Sequence, residues 1–234
     1  MCAHYKIPQS LGALQALIAA PSEGDNPPGS PAAAAGGSVP VEPDEERGAR
    51  PTDLVPVILR DPDSGEIVTK QMRFGLQPPW LKDGSGASTF NARSESLHEK
   101  PVFREAYRHR RCILPMQTFF EGKQPNKVQI SLIDGSVVGM AGLWETKPSP
   151  NGPILTCCLI TCEPNELIAP IHGRMPVLLP PEEWREWLNP VLQEPRELIG
   201  FLRPYPAELM IVAKAEPFKK QRHKSDEDDQ GSLF

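Results

Sequence analysis

Two β-rich runs, DLVPVILRD (53–61) and EIVTKQMRFGL (66–76), are separated only by PDSG. A connection this short, made of proline, aspartate, serine and glycine, reverses the chain and cannot hold a crossover helix, so the runs must pair antiparallel. The pattern recurs in KVQISLIDGSVVGMAGLWE (127–145), where Asp134-Gly135 reads as a second hairpin turn. ILTCCLITC (154–162) is a further apolar strand, and ELMIVAKA (208–215) closes the series. Helical spacing is read in SLGALQALIAA (10–20), with Ser10 as N-cap, and in PEEWREWL and PRELIGFL, which carry proline near the first turn. The expected class is α+β, with a largely antiparallel, barrel-like sheet and a few flanking helices.

A chain of 234 residues is long enough to bury a proper core, and residues 1–224 read as one domain. Its regular pattern is interrupted at 21–48 by a Pro/Gly/Ala-rich, acidic stretch that cannot bury enough apolar surface to fold alone and reads as a mobile insertion. Residues 225–234, SDEDDQGSLF, form a solvated acidic tail ending in two apolar side chains. The net charge of −5 hides an uneven distribution: residues 69–224 carry +5 between segments at −6 and −4. A basic body is compatible with phosphate contacts. Five cysteines without a leader-like start point to a reducing cytoplasm, and no apolar run approaches the ~20 residues that span a bilayer.

The chain opens MCAHY. Removal of Met1 would leave Cys2 with a free α-amine beside its thiol, a pair that attacks an aldehyde twice: the amine gives a Schiff base and the thiol closes a thiazolidine. In TFNARSES (89–96), Asn91 and Arg93 lie two apart in an extended stretch and share a face. The amide of Asn91 suits a nucleophile and the guanidinium of Arg93 suits a phosphate. Glu121 ends the apolar run ILPMQTFFEGK and is suited to shuttling a proton. His172, in APIHGRMPVLL, sits in a loop before Arg174. Cys157, Cys158 and Cys162 have no CxxC spacing and read as core rather than as a metal site, so no metal and no cofactor is expected.

Taken together, Met-Cys at the start, FGLQPPW, Asn91-x-Arg93-x-Glu95, FFEG and IHGRMP occur in the order that resembles the SRAP family, the SOS response-associated peptidases or abasic-site processing proteins, in a divergent bacterial-type form. The resemblance covers about 1–20 and 50–215. It implies the SRAP fold, covalent cross-linking to abasic sites in single-stranded DNA through Cys2, autoproteolytic release of Met1, and an associated lyase activity. By the same resemblance Asn91 positions the amino-terminal end, Glu121 is the acid/base and His172 assists proton transfer at the opened sugar. Arg93 holds a flanking phosphate, Trp80 offers a stacking surface, and Thr161 and Arg174 lie at the DNA site. Three departures stand out. Ala3-His4 replaces the family's Gly-Arg, so His4 takes the place of a phosphate-binding arginine; Gly122 replaces a tryptophan; and GARP (48–51) lacks the asparagine of an Asn-x-Ala-Pro stretch.

Two other readings stay open: a recruited DNA-repair accessory module on the same fold with weakened cross-linking, and a cysteine peptidase acting on other proteins. The terminal QGSLF resembles the Gln-x-x-Leu-Phe peptide that binds the bacterial β sliding clamp, with Leu233 and Phe234 filling an apolar pocket and Gln230 at its edge. The expected protein is a cytoplasmic monomer, nucleoid-associated when on DNA, with no membrane partner.

Overall fold

The computed structural model describes residues 4–8, 48–81, 89–122 and 125–215. Cys2, the helix expected at 10–20, the insertion apart from Gly48, and the acidic tail with Gln230, Leu233 and Phe234 lie outside the described residues. The expected α+β class holds, and the sheet closes. Strands β2 (Leu54–Arg60), β3 (Ile67–Phe74), β5 (Arg111–Met116), β8 (Val138–Lys147) and β9 (Ile154–Cys162) each pair with two neighbours in the circular order β9-β3-β2-β5-β8-β9, a five-stranded barrel.

The PDSG turn makes β2 and β3 the expected antiparallel hairpin, with Leu54 opposite Arg73 and Arg60 opposite Ile67. Closure of the barrel needs β8 to lie against β5 and β9 at once, and Gly142 permits it. A Cβ there would stand 2.7 Å from the Cys158 carbonyl oxygen and collide with Leu114. Both faces of the barrel strands are buried and apolar: Val57, Leu59, Met72 and Leu159 share one face by register, and Ile113 and Leu143 lie on the other. Cys112, Cys157, Cys158 and Cys162 are free, buried thiols, and burial pushes all four thiols up, Cys162 to about 12, so they act as small hydrophobes.

A second sheet runs in the order β1 (Tyr5–Lys6), β6 (Thr118–Glu121), β7 (Val128–Leu132), β12 (Met210–Lys214). Here the structure corrects the sequence reading. β7 and β8 flank Asp134-Gly135 but do not form a hairpin: β7 pairs with β6 and β12, whereas β8 leaves for the barrel. Gly135 does turn the chain, with φ of 69°, but β7 finds its partners in β6 across Gly122 and in β12. β4 (Asn91–Arg93) and β10 (Met175–Pro176) extend the barrel sheet beside β9, and β11 (Leu178–Leu179) lies on β8.

Helices α2 (Pro181–Trp187) and α3 (Pro195–Leu198) fall where expected. A third, α1 (Pro101–His109), is not among the sequence expectations, although Pro101 stands in its first turn and Phe103, Ala106 and Tyr107 recur at helical spacing on its buried face. α1 and α2 are tied by Arg111, a buried guanidinium that donates to the carbonyls of Tyr107 (3.0 Å), Arg108 (2.7 Å), Trp187 (2.7 Å) and Asn189 (2.5 Å). Burial lowers its pKa to about 10. Among the described residues no helix is long and apolar enough to cross a membrane.

Candidate functional site

The site grows from the last residues of β9. There the strand is flanked on one edge by β4, parallel to it, and on the other by β10, antiparallel. Thr161 is the meeting point: it lies opposite Arg93 in β4 and opposite Pro176 in β10, and its buried hydroxyl approaches the Ala92 carbonyl at 3.4 Å. β4 alternates as its extended backbone requires, with Ala92 buried and Arg93 exposed, so Asn91 and Arg93 share the face opposite Ala92. Phe74 N–H bonds the Asp53 carbonyl, after which Gly75 turns the chain off β3; it returns at Phe90, whose carbonyl accepts from Leu159 N–H. Trp80 lies on this excursion and is 60% exposed, as a stacking surface must be.

The carboxamide oxygen of Asn91 is buried and has no hydrogen-bond partner among the described residues. An orphaned buried acceptor costs about 1–3 kcal/mol, so its retention asks for a donor, such as an amine, in the working state.

The His172 loop is built by Asn165, which is buried. Its Oδ1 accepts from Ile168 N–H (3.0 Å), its carbonyl accepts from Ala169 N–H, and its Nδ2 donates to the Tyr205 carbonyl (2.7 Å). His172 N–H then donates to the Ile168 carbonyl at 2.9 Å, which closes the turn. The ring's Nδ1 stands 2.9 Å from the Arg174 carbonyl oxygen and 3.1 Å from Arg174 N–H. A neutral imidazole takes one of these at a time. With Nδ1–H donating to the carbonyl, Nε2 is a lone-pair base; with Nδ1 accepting from N–H, Nε2 carries the proton. The loop supports both tautomers, which is what a proton shuttle needs. Arg174 reaches back across the sheet end, donating to Glu95 Oε1 (2.5 Å) and Oε2 (2.9 Å) and to the Thr161 carbonyl (2.5 Å). Glu95 lies in the 3-10 turn Ser94–Ser96 that directly follows β4. The Arg174 guanidinium holds the Glu95 carboxyl below the usual carboxylate value.

Glu121 is positioned by the other sheet. It ends β6 opposite Val128 of β7 and is buried, 3% exposed. Gly122 follows at φ of 81°, and a Cβ there would stand 2.8 Å from the Asn126 carbonyl oxygen, so the turn after Glu121 has no room for the tryptophan the family carries. β1 lies on the far edge of β6: Tyr5 faces Phe119, and Phe120 N–H bonds the His4 carbonyl at 2.9 Å. The His4 ring stacks on Phe120 with centroids 4.6 Å apart, and its Nδ1 lies 2.7 Å from Lys127 Nζ, which itself stands 5.1 Å over the Phe120 ring. Burial, with Arg50 as a second cause, lowers the Lys127 pKa, while the Glu121 carboxylate opposes that shift.

The sequence-derived residues thus form two groups: Asn91, Arg93, Thr161, His172 and Arg174 around the end of β9, and His4 with Glu121 along β1 and β6. Sequence reasoning missed Lys127 and the role of Glu95. Lys127 is 123 residues from its partner His4, and only the pairing of β1 with β6 brings them together; for Glu95, already inside the Asn-x-Arg-x-Glu pattern, the signal was present.

A family model described as SOS response associated peptidase (SRAP) matches residues 1–217. The chain is similar to the abasic site processing protein YoqW of Bacillus subtilis, 40% identical over 167 residues covering 68% of this chain and 74% of that protein. It is also similar to the abasic site processing protein YoaM of the same organism, 38% identical over 167 residues covering 68% of this chain and 73% of that one. A crystal structure of a protein from Bacteroides thetaiotaomicron superposes with a TM-score of 0.62 at 30% identity, covering 72% of this chain and 77% of the other.

Proposed function

The chain belongs to the SOS response associated peptidase (SRAP) family, and from that premise we propose that it processes abasic sites in single-stranded DNA by cross-linking to them through Cys2. After Met1 is removed, the Cys2 amine adds to the C1′ aldehyde of the ring-opened sugar and water leaves, giving a Schiff base. The Cys2 thiol then adds to the imine carbon and the nitrogen takes up a proton, closing a thiazolidine. Glu121 and His172 move the protons these steps require, and the Asn91 carboxamide oxygen accepts from the Cys2 amine. Arg93 contacts a phosphate beside the lesion and Trp80 stacks on a neighbouring base. Hydrolytic release of Met1, and lyase cleavage of the strand from the Schiff base, are further activities of the same groups.

The observation that carries this reading is the pairing of β1 with β6. His4, two residues after Cys2, is hydrogen-bonded to the strand that ends in buried Glu121. Incubation with an abasic oligonucleotide followed by denaturing electrophoresis tests it. Wild type should give a denaturant-resistant adduct without reductant, whereas Cys2→Ser should give one only when borohydride traps its Schiff base. An equal, reductant-free adduct from Cys2→Ser would refute the mechanism.

The terminal QGSLF supports recruitment to a β sliding clamp, with Leu233 and Phe234 in an apolar pocket and Gln230 at its edge. A five-residue motif should bind with micromolar affinity, about −8 kcal/mol. Titrating clamp with residues 222–234 should show this affinity, and changing both Leu233 and Phe234 to alanine should abolish it; equal binding by both peptides removes the recruitment step.

A further inference from the structure

Three separate segments meet at Lys127, which directly precedes β7. Its Nζ lies 2.7 Å from Nδ1 of His4, the residue before β1, and 5.1 Å over the ring of Phe120 in β6, on which the His4 imidazole stacks. An ammonium group has only donors, so Nδ1 meets it as a lone-pair acceptor and orients it. The stretch 48–51 is drawn in by the backbone of Ala49, whose N–H donates to the Tyr5 carbonyl (2.7 Å) and whose carbonyl accepts from Tyr5 N–H (3.2 Å). A Cβ at Gly48 would stand 3.0 Å from His4 Nε2, and a Cβ at Gly122 would stand 3.6 Å from Lys127 Cα. Positions 4, 48–51 and 122, the three places where the sequence departs from the family pattern, therefore surround one lysine.

The stretch 48–51 also brings a second cation, Arg50, whose side chain is exposed. Burial and then the Arg50 charge lower the Lys127 pKa, while the Glu121 carboxylate acts in the opposite direction without offsetting them. Two cations in mutual repulsion, one of them half-buried, cost free energy that an anion between them recovers. Lysine brings a point charge and arginine a planar fork, and both suit phosphate oxygens. Cys2 lies two residues before His4, a span of at most about 7 Å, so an anion held here lies beside the sugar that Cys2 captures. The anion that an opened sugar in DNA carries with it is its own adjoining phosphodiester.

We propose that Lys127 and Arg50 form a phosphate-binding pair that holds the DNA phosphodiester next to the captured sugar. The pair supplies, from the start of β7 and from the 48–51 stretch, the positive charge that an arginine at position 4 would supply from β1. It rests on the reading of single-stranded DNA as the substrate, and not on the covalent step.

The experiment measures salt-dependent binding of the full chain to an intact single strand that has no abasic site, for wild type, Lys127→Met, Arg50→Ala, the double variant and Lys127→Arg. One phosphate contact on a single strand contributes about 0.7 to the slope of log affinity against log salt. The double variant should be shallower than wild type by about 0.7, each single variant should fall between the two, and Lys127→Arg, which keeps the charge, should match wild type. Because the two cations repel each other in the absence of DNA, the unliganded double variant should lose no thermal stability. An unchanged slope in the double variant overturns the inference, as does a loss carried by one single variant alone, a fall in affinity that comes with a lowered unfolding temperature, or a wild type that does not bind the intact strand. If wild type binds but forms no denaturant-resistant adduct with abasic DNA, the cross-linking reading fails, while the slope comparison still decides whether Lys127 and Arg50 hold a phosphate.

Discussion

Replacing Gly122 with alanine puts a number on the way this chain builds the turn behind Glu121. The backbone there has φ of 81°, in the left-handed region where a Cβ meets its own carbonyl, at a cost of about 1–2 kcal/mol. The new Cβ would also lie 2.8 Å from the Asn126 carbonyl oxygen. That atom is backbone, so relief requires the β6–β7 connection to open, an overpacking cost of about 1–3 kcal/mol. A stiffer unfolded chain offsets about 0.4–1 kcal/mol. The net loss is about 2–4 kcal/mol, a fall of about 5–15 °C in unfolding temperature for a chain of this size. Urea and thermal unfolding measure it, and tryptophan at the same position should cost at least as much. A loss under about 0.5 kcal/mol would mean that the turn relaxes freely and that Gly122 is not what sets the end of β6.

Arg111→Met should cost about 3 kcal/mol or more, because it strips a charged donor from four carbonyls, two of the bonds buried and two part-buried, that join α1 to α2; chemical denaturation gives the value, and a loss below about 1 kcal/mol would deny Arg111 that bracing role. Asp61 is held at a pKa of about 2, against an ordinary 3.8, chiefly by its hydrogen bond to Lys70 and then by the Ser64 and Asp63 N–H groups. A depressed carboxylate contributes stability that is full above its unfolded value and is lost as pH falls through the folded one, so this contribution should fade between about pH 4 and pH 2. NMR titration should find the Asp61 midpoint near 2 in wild type and higher in Lys70→Met; a midpoint unmoved by that change would exclude Lys70 as the cause. Glu121→Gln should slow adduct formation by about 10²-fold or more while leaving the salt slope on intact DNA unchanged, since it alters proton transfer and no phosphate contact; a rate equal to wild type would remove Glu121 from the chemistry.

What the sequence disclosed follows from how local each feature is. The β2–β3 hairpin was legible because PDSG and its flanking runs lie within one short stretch. The shared face of Asn91 and Arg93 follows from extended backbone alone, and the cysteines read as core because they sit inside an apolar strand. β7 and β8 misled because a turn composition states that the chain bends, not which strand it pairs with next; β7 had a better partner in β12, about eighty residues along the chain. The parallel pairings of β9 with β3 and β4 leave no local mark at all, yet they put Thr161 beside Arg93. For the same reason Glu95 and Arg174, 79 residues apart, stand out as motif residues while their contact leaves no sign in the sequence. The position after Glu121 reads as a lost aromatic in sequence and as a required left-handed glycine in space.

In the proposed mechanism a single residue supplies both the amine and the thiol that capture the opened sugar. Intact mass measurement of the purified adduct, followed by peptide mapping, tests it most directly. The expected product is a protein lacking Met1, joined to the oligonucleotide with the loss of one water, and modified on the N-terminal peptide at Cys2 with both amine and thiol blocked. An adduct on any other peptide, one that retains Met1, or one whose Cys2 thiol still reacts with an alkylating agent would contradict it.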